Sequence, residues 1–149
     1  LRLQIECSAH AEHERYASPF AVIMFDIDHF KAINDQLGHH AGDEALRELT
    51  RRIGDVLRET DDFGRWGGEE FLVLANHSDA AAAARLAERI RETVATEPFA
   101  AVGPVTISLG VAEARPGEEV EQLEERADDA LYAAKAAGRN QVRLGEGGS

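Results

Sequence analysis

The sequence predicts an α/β fold of the α+β kind: one domain in which a mixed β-sheet is covered by helices. Three observations carry that reading. Apolar runs of strand length alternate with amphipathic stretches of helix length. A Gly67-Gly68 pair lies between two short extended runs, a hairpin signal that a purely parallel sheet would not contain. The 149 residues, 44% of them hydrophobic, are enough for a single core without disulfides or a structural metal. Cys7 stands alone, and there is no CxxC or Cys/His cluster at zinc spacing.

The elements follow in order. Leu1 to Ala17 is mostly polar, with Leu3, Ile5 and Tyr16 as its larger apolar residues. It reads as a weakly striped helix that Ser18-Pro19 breaks. Phe20 to Phe25 is continuously apolar, the mark of a strand buried on both faces, and it ends in charge at Asp26-Ile27-Asp28. Phe30 to Leu37 is a short helix closed by Gly38. A longer helix follows His39-His40-Ala41-Gly42. Leu46, Leu49, Ile53, Val56 and Leu57 recur near the helical period, which carries it to about Arg58–Asp61. Phe63 to Trp66 and Glu69 to Ala75 are the hairpin strands. Ser78-Asp79 caps an Ala-rich helix with Leu86, Ile90 and Val94 on one face, and Pro98 ends it. A strand pair is expected around Pro104, its stronger member being Val105 to Ala112. The last helix buries Leu123, Ala127, Leu131 and Ala134 and stops at Gly138, ahead of a short strand at Gln141 to Leu144 and a flexible tail from Gly145.

Charge narrows the function. Sixteen Lys and Arg stand against 28 Asp and Glu, a formal charge of −12. Such a surface repels a phosphate backbone, which argues against a protein built to grip nucleic acid and against contact with an anionic membrane. No apolar run approaches the roughly 18 residues of a membrane span, and no basic-then-apolar leader opens the chain. The expectation is a soluble, intracellular domain. A phosphate ligand remains open to it if metal ions or a few placed cations offset the charge.

Two carboxylate clusters stand out. Asp26 and Asp28 end the buried strand, and Glu69 and Glu70 follow the hairpin glycines. Glycines without a Cβ let a polyphosphate approach the backbone. Carboxylates from adjacent strand ends can share Mg²⁺, and two metals about 3.5–4 Å apart can clamp both oxygens of a phosphoryl transfer. The competing reading makes all four plain surface charges. Other candidates divide the same way. Lys31 can meet a phosphate or be solvated. Asn34 and Asp43 can read a base edge or serve a helix end. His39 and His40 lack a third ligand at metal spacing and fit a turn. Lys135 and Arg139 flank Gly138, where cations satisfy a helix dipole. Arg58 and Asp61 pair most simply with each other on a helix. Phe30 and Trp66 fit packing. Ser8, Ser18 and Ser108 have no GxSxG-like context for a nucleophile.

Five segments together carry a resemblance. Arg65-Trp66-Gly67-Gly68-Glu69-Glu70-Phe71 resembles the signature of the GGDEF family in its GGEEF form. Phe25-Asp26-Ile27-Asp28-His29-Phe30-Lys31-Ala32-Ile33-Asn34-Asp35 resembles the family's other signature. Gly38 to Asp43, Thr106 to Ala112 and Ala130 to Asn140 also match, in order, across residues 20–144. The resemblance implies a diguanylate cyclase, which condenses two GTP to cyclic di-GMP and pyrophosphate. It also implies a ferredoxin-like sheet akin to the polymerase palm, with residues 1–149 forming a single such domain.

Carried over residue by residue, the resemblance implies that Asp26, Glu69, Glu70 and the Ile27 carbonyl hold Mg²⁺ or Mn²⁺. Glu69 would assist deprotonation of the ribose 3′-hydroxyl. Asn34 and Asp43 would bond the guanine edge, which favours GTP over ATP. Lys31, Lys135 and Arg139 would neutralise phosphates, Phe30 and His39 would line the pocket, and Gly67 and Gly68 would lie under the nucleotide. Arg58-Glu59-Thr60-Asp61 is an RxxD at the spacing of the family's inhibitory product site, with Arg89 as a further arginine.

One departure matters. The family usually opens with a DxLTGLxNRR segment, and this chain begins just after that point. That segment's Asp typically pairs with the arginine before the GGDEF signature, so Arg65 is expected to lack a partner. Catalysis would need two domains facing each other antiparallel. No coiled coil is visible, so the isolated chain is expected to be mostly monomeric and weakly active. The expected location is the cytoplasm, with any membrane anchor supplied by upstream domains. Two other readings stay open: a cyclic di-GMP or GTP binding module without turnover, and a scaffold with a vestigial pocket.

Overall fold

The structure is a computed structural model that describes residues 18–67 and 70–145. The helix expected over residues 1–17, the hairpin residues 68 and 69, and tail residues 146–149 lie outside the described residues. The fold is organised by β1 (Phe20–Ile27), all eight residues of which are buried. Its edges are both occupied. Phe20 to Asp26 lie opposite Asn76 to Glu70 of β3 (Glu70–Asn76), and Ala21 to Ile27 lie opposite Glu113 to Ile107 of β4 (Ile107–Glu113), both antiparallel. β2 (Asp61–Gly67) pairs with β3 to make the hairpin, and β5 (Val142–Leu144) adds in parallel to β4. The five-stranded order is β2-β3-β1-β4-β5.

Both faces of β1 are covered because side chains alternate across a strand. Ala21, Ile23, Phe25 and Ile27 enter the larger core with α1 (Phe30–Leu37), α2 (His39–Gly54) and α3 (Ala80–Thr96). Phe20, Val22 and Met24 enter a smaller core under α4 (Val120–Ala136), against Leu72, Leu74, Leu123, Ala127 and Leu131. The continuous apolar run thus reflects helices on both faces of an antiparallel centre. β1, α2, β2, β3, α3 and β4 form a ferredoxin-like β-α-β-β-α-β unit, to which α1, α4 and β5 are added. The expected mixed sheet with flanking helices is present. Phe25 stacks on Phe71 at 5.4 Å and on Phe63 at 6.2 Å, tying the hairpin to the central strand.

Two expected elements come out differently. α2 ends at Gly54, not near Arg58–Asp61. Val56 and Leu57 continue the apolar stripe from a turn, where they still pack on the core. Gly54, a weak helix former, closes the helix, and the turn after it still packs on the core. The strand pair at Pro104 reduces to one bridge, in which Phe99 and Gly103 exchange N–H···O bonds of 2.8 and 2.9 Å. β4 itself starts at Ile107, while Val105 plugs the core from outside any strand. At the other end, Gly145 donates its N–H to Val111 at 2.6 Å.

Two contacts fix the helices. Arg52 of α2 donates to the carbonyls of Val94, Glu97 and Pro98 at 3.2, 2.8 and 3.0 Å, serving the C-terminal end of α3, and it lies 4.0 Å over the Phe99 ring. On the other face, Gly110 lets α4 approach β4 closely. A Cβ there would stand 2.3 Å from both the Ala127 carbonyl oxygen and the Leu131 nitrogen. No helix among the described residues is long and apolar enough to cross a membrane. Gly110→Ala is expected to lift α4 and to destabilise the fold by about 1–3 kcal/mol or more. Urea unfolding measures this, and a variant as stable as the parent would contradict so tight a seat.

Candidate active site at the end of the central strand

The site begins where β1 runs out. Asp26 shares its face with Val22 and Met24, so it points toward α4, and it is only 4% exposed. In the ladders it lies opposite Glu70 on one side and Ser108 on the other. Directly opposed residues in an antiparallel pair have Cα atoms roughly 4.5–5.5 Å apart and side chains on one face. Asp26 and Glu70 are therefore brought together by register alone. A buried carboxylate needs a compensating charge. Lys135, in the last turn of α4, supplies it by pairing with Asp26 Oδ2.

Ile27 follows in the same strand. Two carboxylates and a neighbouring carbonyl make an all-oxygen donor set, the chemistry of a hard divalent cation. Among the described residues no group of three or more His, Cys, Asp or Glu is gathered as a metal cluster. Glu69, expected to complete the set, and Gly68 lie outside those residues. Gly67 closes β2 against Glu70 after a register shift between Arg65 and Gly67. Such bulges re-aim a strand end. Arg65 is not left without a partner, contrary to the expectation drawn from the family's opening segment.

Asp28, the other carboxylate of the motif, is directed elsewhere. It accepts from Thr106 Oγ1 at 2.7 Å, Ser108 Oγ at 2.6 Å and the Asn140 N–H at 3.0 Å. It is neither a plain surface charge nor turned toward Glu70, and Ser108 is occupied as its donor. Arg139 precedes Asn140 in the turn after α4 and is exposed. The α-helical residues expected to bind a base lie on the opposite sheet face. Asn34 of α1 is half-buried against Gly42 of α2, where a Cβ would stand 1.9 Å from Asn34 Oδ1. That oxygen is buried with no hydrogen-bond partner among the described residues. Phe30 is a core residue beneath them, its Cζ 3.4 Å from the same point. Asp43, Lys31 and His39 are exposed. Asp43 borders an open groove of about 590 Å³ between α2 and the hairpin, with Arg47, Thr50, Phe63, Arg65 and Phe71. Lys31 and His39 are not joined to the strand-end carboxylates by any side-chain bond among the described residues.

The RxxD pair is real but is not on a helix. Asp61 opens β2, its side chain fully buried, and it accepts from the Arg58 backbone N–H at 2.9 Å, Nε at 3.1 Å and Nη2 at 2.7 Å. Those bonds raise the Arg58 guanidinium above its ordinary pKa. Nη2 also reaches the Asn76 carbonyl at 3.2 Å and Ser78 Oγ at 3.0 Å, just before α3. The pair thus sits at the far end of β2 from Gly67, about 20 Å away at strand rise. Arg89 is exposed on α3, about 15 Å along the axis from the Asp79 cap. No contact among the described residues joins it to the pair. Sequence reasoning assigned no role to Gly42, Arg91 or Asn140. The signal for Gly42 was its place in the Gly38–Asp43 segment. Asn140 likewise closes the Ala130–Asn140 segment, whereas Arg91 carried no signal, 49 residues from its partner.

Comparison with known proteins gives one consistent family. Residues 1–141 match the family described as diguanylate cyclase, GGDEF domain. The diguanylate cyclase DgcM of Escherichia coli K12 is 41% identical over 131 residues, covering 88% of this chain and 32% of that protein. The GGDEF domain of DgcB from Caulobacter crescentus, solved in complex with c-di-GMP, superposes with a TM-score of 0.88 at 37% identity, covering 95% of this chain and 86% of that one. The active GGEEF domain of a diguanylate cyclase from Vibrio cholerae superposes with a TM-score of 0.87 at 35% identity, covering 93% and 90%. The chain spans about a third of the length of the curated relatives it matches, between 29% and 37% for three of them.

Gly42→Ala is expected to push the Asn34 amide out of its seat, because the new methyl and Oδ1 cannot share that space. The side-chain amide resonances of Asn34 should shift while the remaining fold resonances hold. An unmoved Asn34 amide would contradict the seating described here.

Proposed function

The chain belongs to the GGDEF family of diguanylate cyclase domains, and on that premise we propose that it condenses two GTP into cyclic di-GMP with release of pyrophosphate. The observation that carries the reading is the buried Asp26, opposed to Glu70 and paired with Lys135, at the strand end next to the GGEEF residues. Residues 1–149 would form one such domain, acting in the cytoplasm where GTP is available.

The all-oxygen donors fit a hard cation. Asp26, Glu69, Glu70 and the Ile27 carbonyl would hold Mg²⁺, with Mn²⁺ as a substitute. When bound, the ion would lower the pKa of the ribose 3′-hydroxyl and offset phosphate charge. The chain's own residues do the rest. Asn34 and Asp43 hold the guanine edge. An Asp acceptor facing guanine N–H donors meets the wrong pattern on adenine, which selects GTP. Phe30 supports this pocket from the core, and His39 lies at its rim. Lys31, Lys135 and Arg139 bind the triphosphate, and the absent Cβ atoms of Gly67 and Gly68 leave it room. Lys135 already neutralises Asp26 in the free chain, so phosphate offers it a second anionic partner. Glu69 accepts the 3′-hydroxyl proton. The 3′-oxygen then bonds to the α-phosphate of the other GTP as the bond to pyrophosphate breaks, and the same exchange in the opposite sense closes the ring. Two copies must face each other antiparallel, as a transient homodimer. Nucleic acid and membrane are not partners of this domain in the proposal.

Arg58, Asp61 and Arg89 would bind the product and inhibit turnover. The Asp61 fork presents Arg58 with its Nη1 uncommitted among the described residues, and the pair lies at the opposite end of the hairpin from the carboxylates. That separation favours one second reading, a catalytically weak domain that binds cyclic di-GMP or GTP as a regulatory module.

One assay decides. With GTP and Mg²⁺ the chain should yield cyclic di-GMP and pyrophosphate, Glu69→Gln should lower the rate by about 10²-fold or more, and Arg58→Ala should keep turnover while losing product inhibition. Absent product with calorimetric binding of cyclic di-GMP would leave the binding module. Absent product and absent binding of either nucleotide would overturn both readings.

A further inference from the structure

Asp28 is a buried carboxylate, 5% exposed, that the proposed reaction does not use. Its acceptor capacity is turned entirely on protein donors, two hydroxyls of the β4 segment and one backbone N–H. That third bond crosses from the end of β1 to the turn after α4. The turn is strained: Arg139 and Asn140 have φ of 65° and 48°, consecutive non-glycine residues in the left-handed region. Such a conformation persists only where the surroundings over-determine it.

The surroundings do so from two sides. Asp28 holds the Asn140 N–H at 3.0 Å, and Arg91 Nη1 of α3 donates to Asn140 Oδ1 at 3.0 Å. Arg91 is itself braced by Glu88, with Nε donating to Oε1 at 2.8 Å. The Arg139 N–H completes the turn by donating to the Ala134 carbonyl at 3.0 Å. Strand and helix therefore converge on one residue, Asn140. The residue before it, Arg139, is exposed, and its guanidinium has no partner among the described residues.

We infer that Asp28, seconded by Arg91, is a positioning residue that acts through Asn140 to hold Arg139 on the triphosphate. The inference rests on the reading that this chain binds GTP through Arg139. Asp28 Oδ2 takes both the Asn140 N–H and the Thr106 hydroxyl, and Oδ1 takes the Ser108 hydroxyl. Alanine removes all three acceptors at once, whereas asparagine keeps a carbonyl oxygen for the N–H and turns its amide on a hydroxyl that can accept.

The test is a double-mutant cycle on the full chain, titrated calorimetrically with the α,β-methylene analogue of GTP and Mg²⁺, with melting curves for every variant. Asp28→Ala and Arg139→Ala should each weaken binding about tenfold, and the double variant should be within about twofold of Arg139→Ala alone, because both act on one contact. Arg91→Ala, on the helix surface, should weaken binding about threefold in the parent and not at all in the Arg139→Ala background. It decides in the same way if Asp28→Ala does not fold. Equal losses with and without Arg139, or unchanged affinity in both single variants, would overturn the inference while leaving the functional reading intact. Failure of the parent chain to bind the analogue would overturn both.

Discussion

The site depends on β1 being paired along both edges. A strand with no free edge and helices over both faces has one place to present a carboxylate, its end. Asp26 occupies that place at the cost of near-complete burial. The cost is tolerable because α4 brings Lys135 to it. Lys135 reaches it because α4 lies unusually close to β4, and that closeness is set by Gly110 opposite Met24. Packing, backbone hydrogen bonding and charge compensation thus converge on one short stretch of chain.

Two carboxylates separated by a single isoleucine take different parts. Asp26 is opposed to Glu70 and answered by a lysine. Asp28, just past the strand, is saturated with hydroxyl and amide donors and joins β1 to the turn beyond α4. The distinction is one of neighbours, since the two side chains are chemically identical. The helix layer shows a parallel division. Arg52 ties α2 to the C-terminal end of α3, and Arg91 ties α3 to the same turn that Asp28 holds.

Much of this was legible in the sequence. α1 was read with its bounds because Gly38 closes it. The inner faces of α3 and α4 were read because Leu86, Ile90, Val94, Leu123, Ala127 and Leu131 keep helical spacing. The end of α2 was misread because Val56 and Leu57 stay in the core after the helix stops, so hydrophobic periodicity outlasts the hydrogen bonding that it normally reports. The start of the strand after Pro104 was misread because Val105 is buried without being paired, and β4 begins only at Ile107. Of the site, the carboxylates and cations were recognisable as residue types in motifs. Which carboxylate meets a cation and which is consumed by hydroxyls depends on contacts up to 112 residues apart along the chain. No local pattern carries that information.

The two outer strands set a further limit. β5 is three residues long, and β2, at the other edge, opens with Asp61 and Asp62, carries Arg65 and is kinked at its hairpin end. Short, charged or bent borders are poor templates for lateral strand addition. Two copies of this domain therefore gain little by extending each other's sheet side by side.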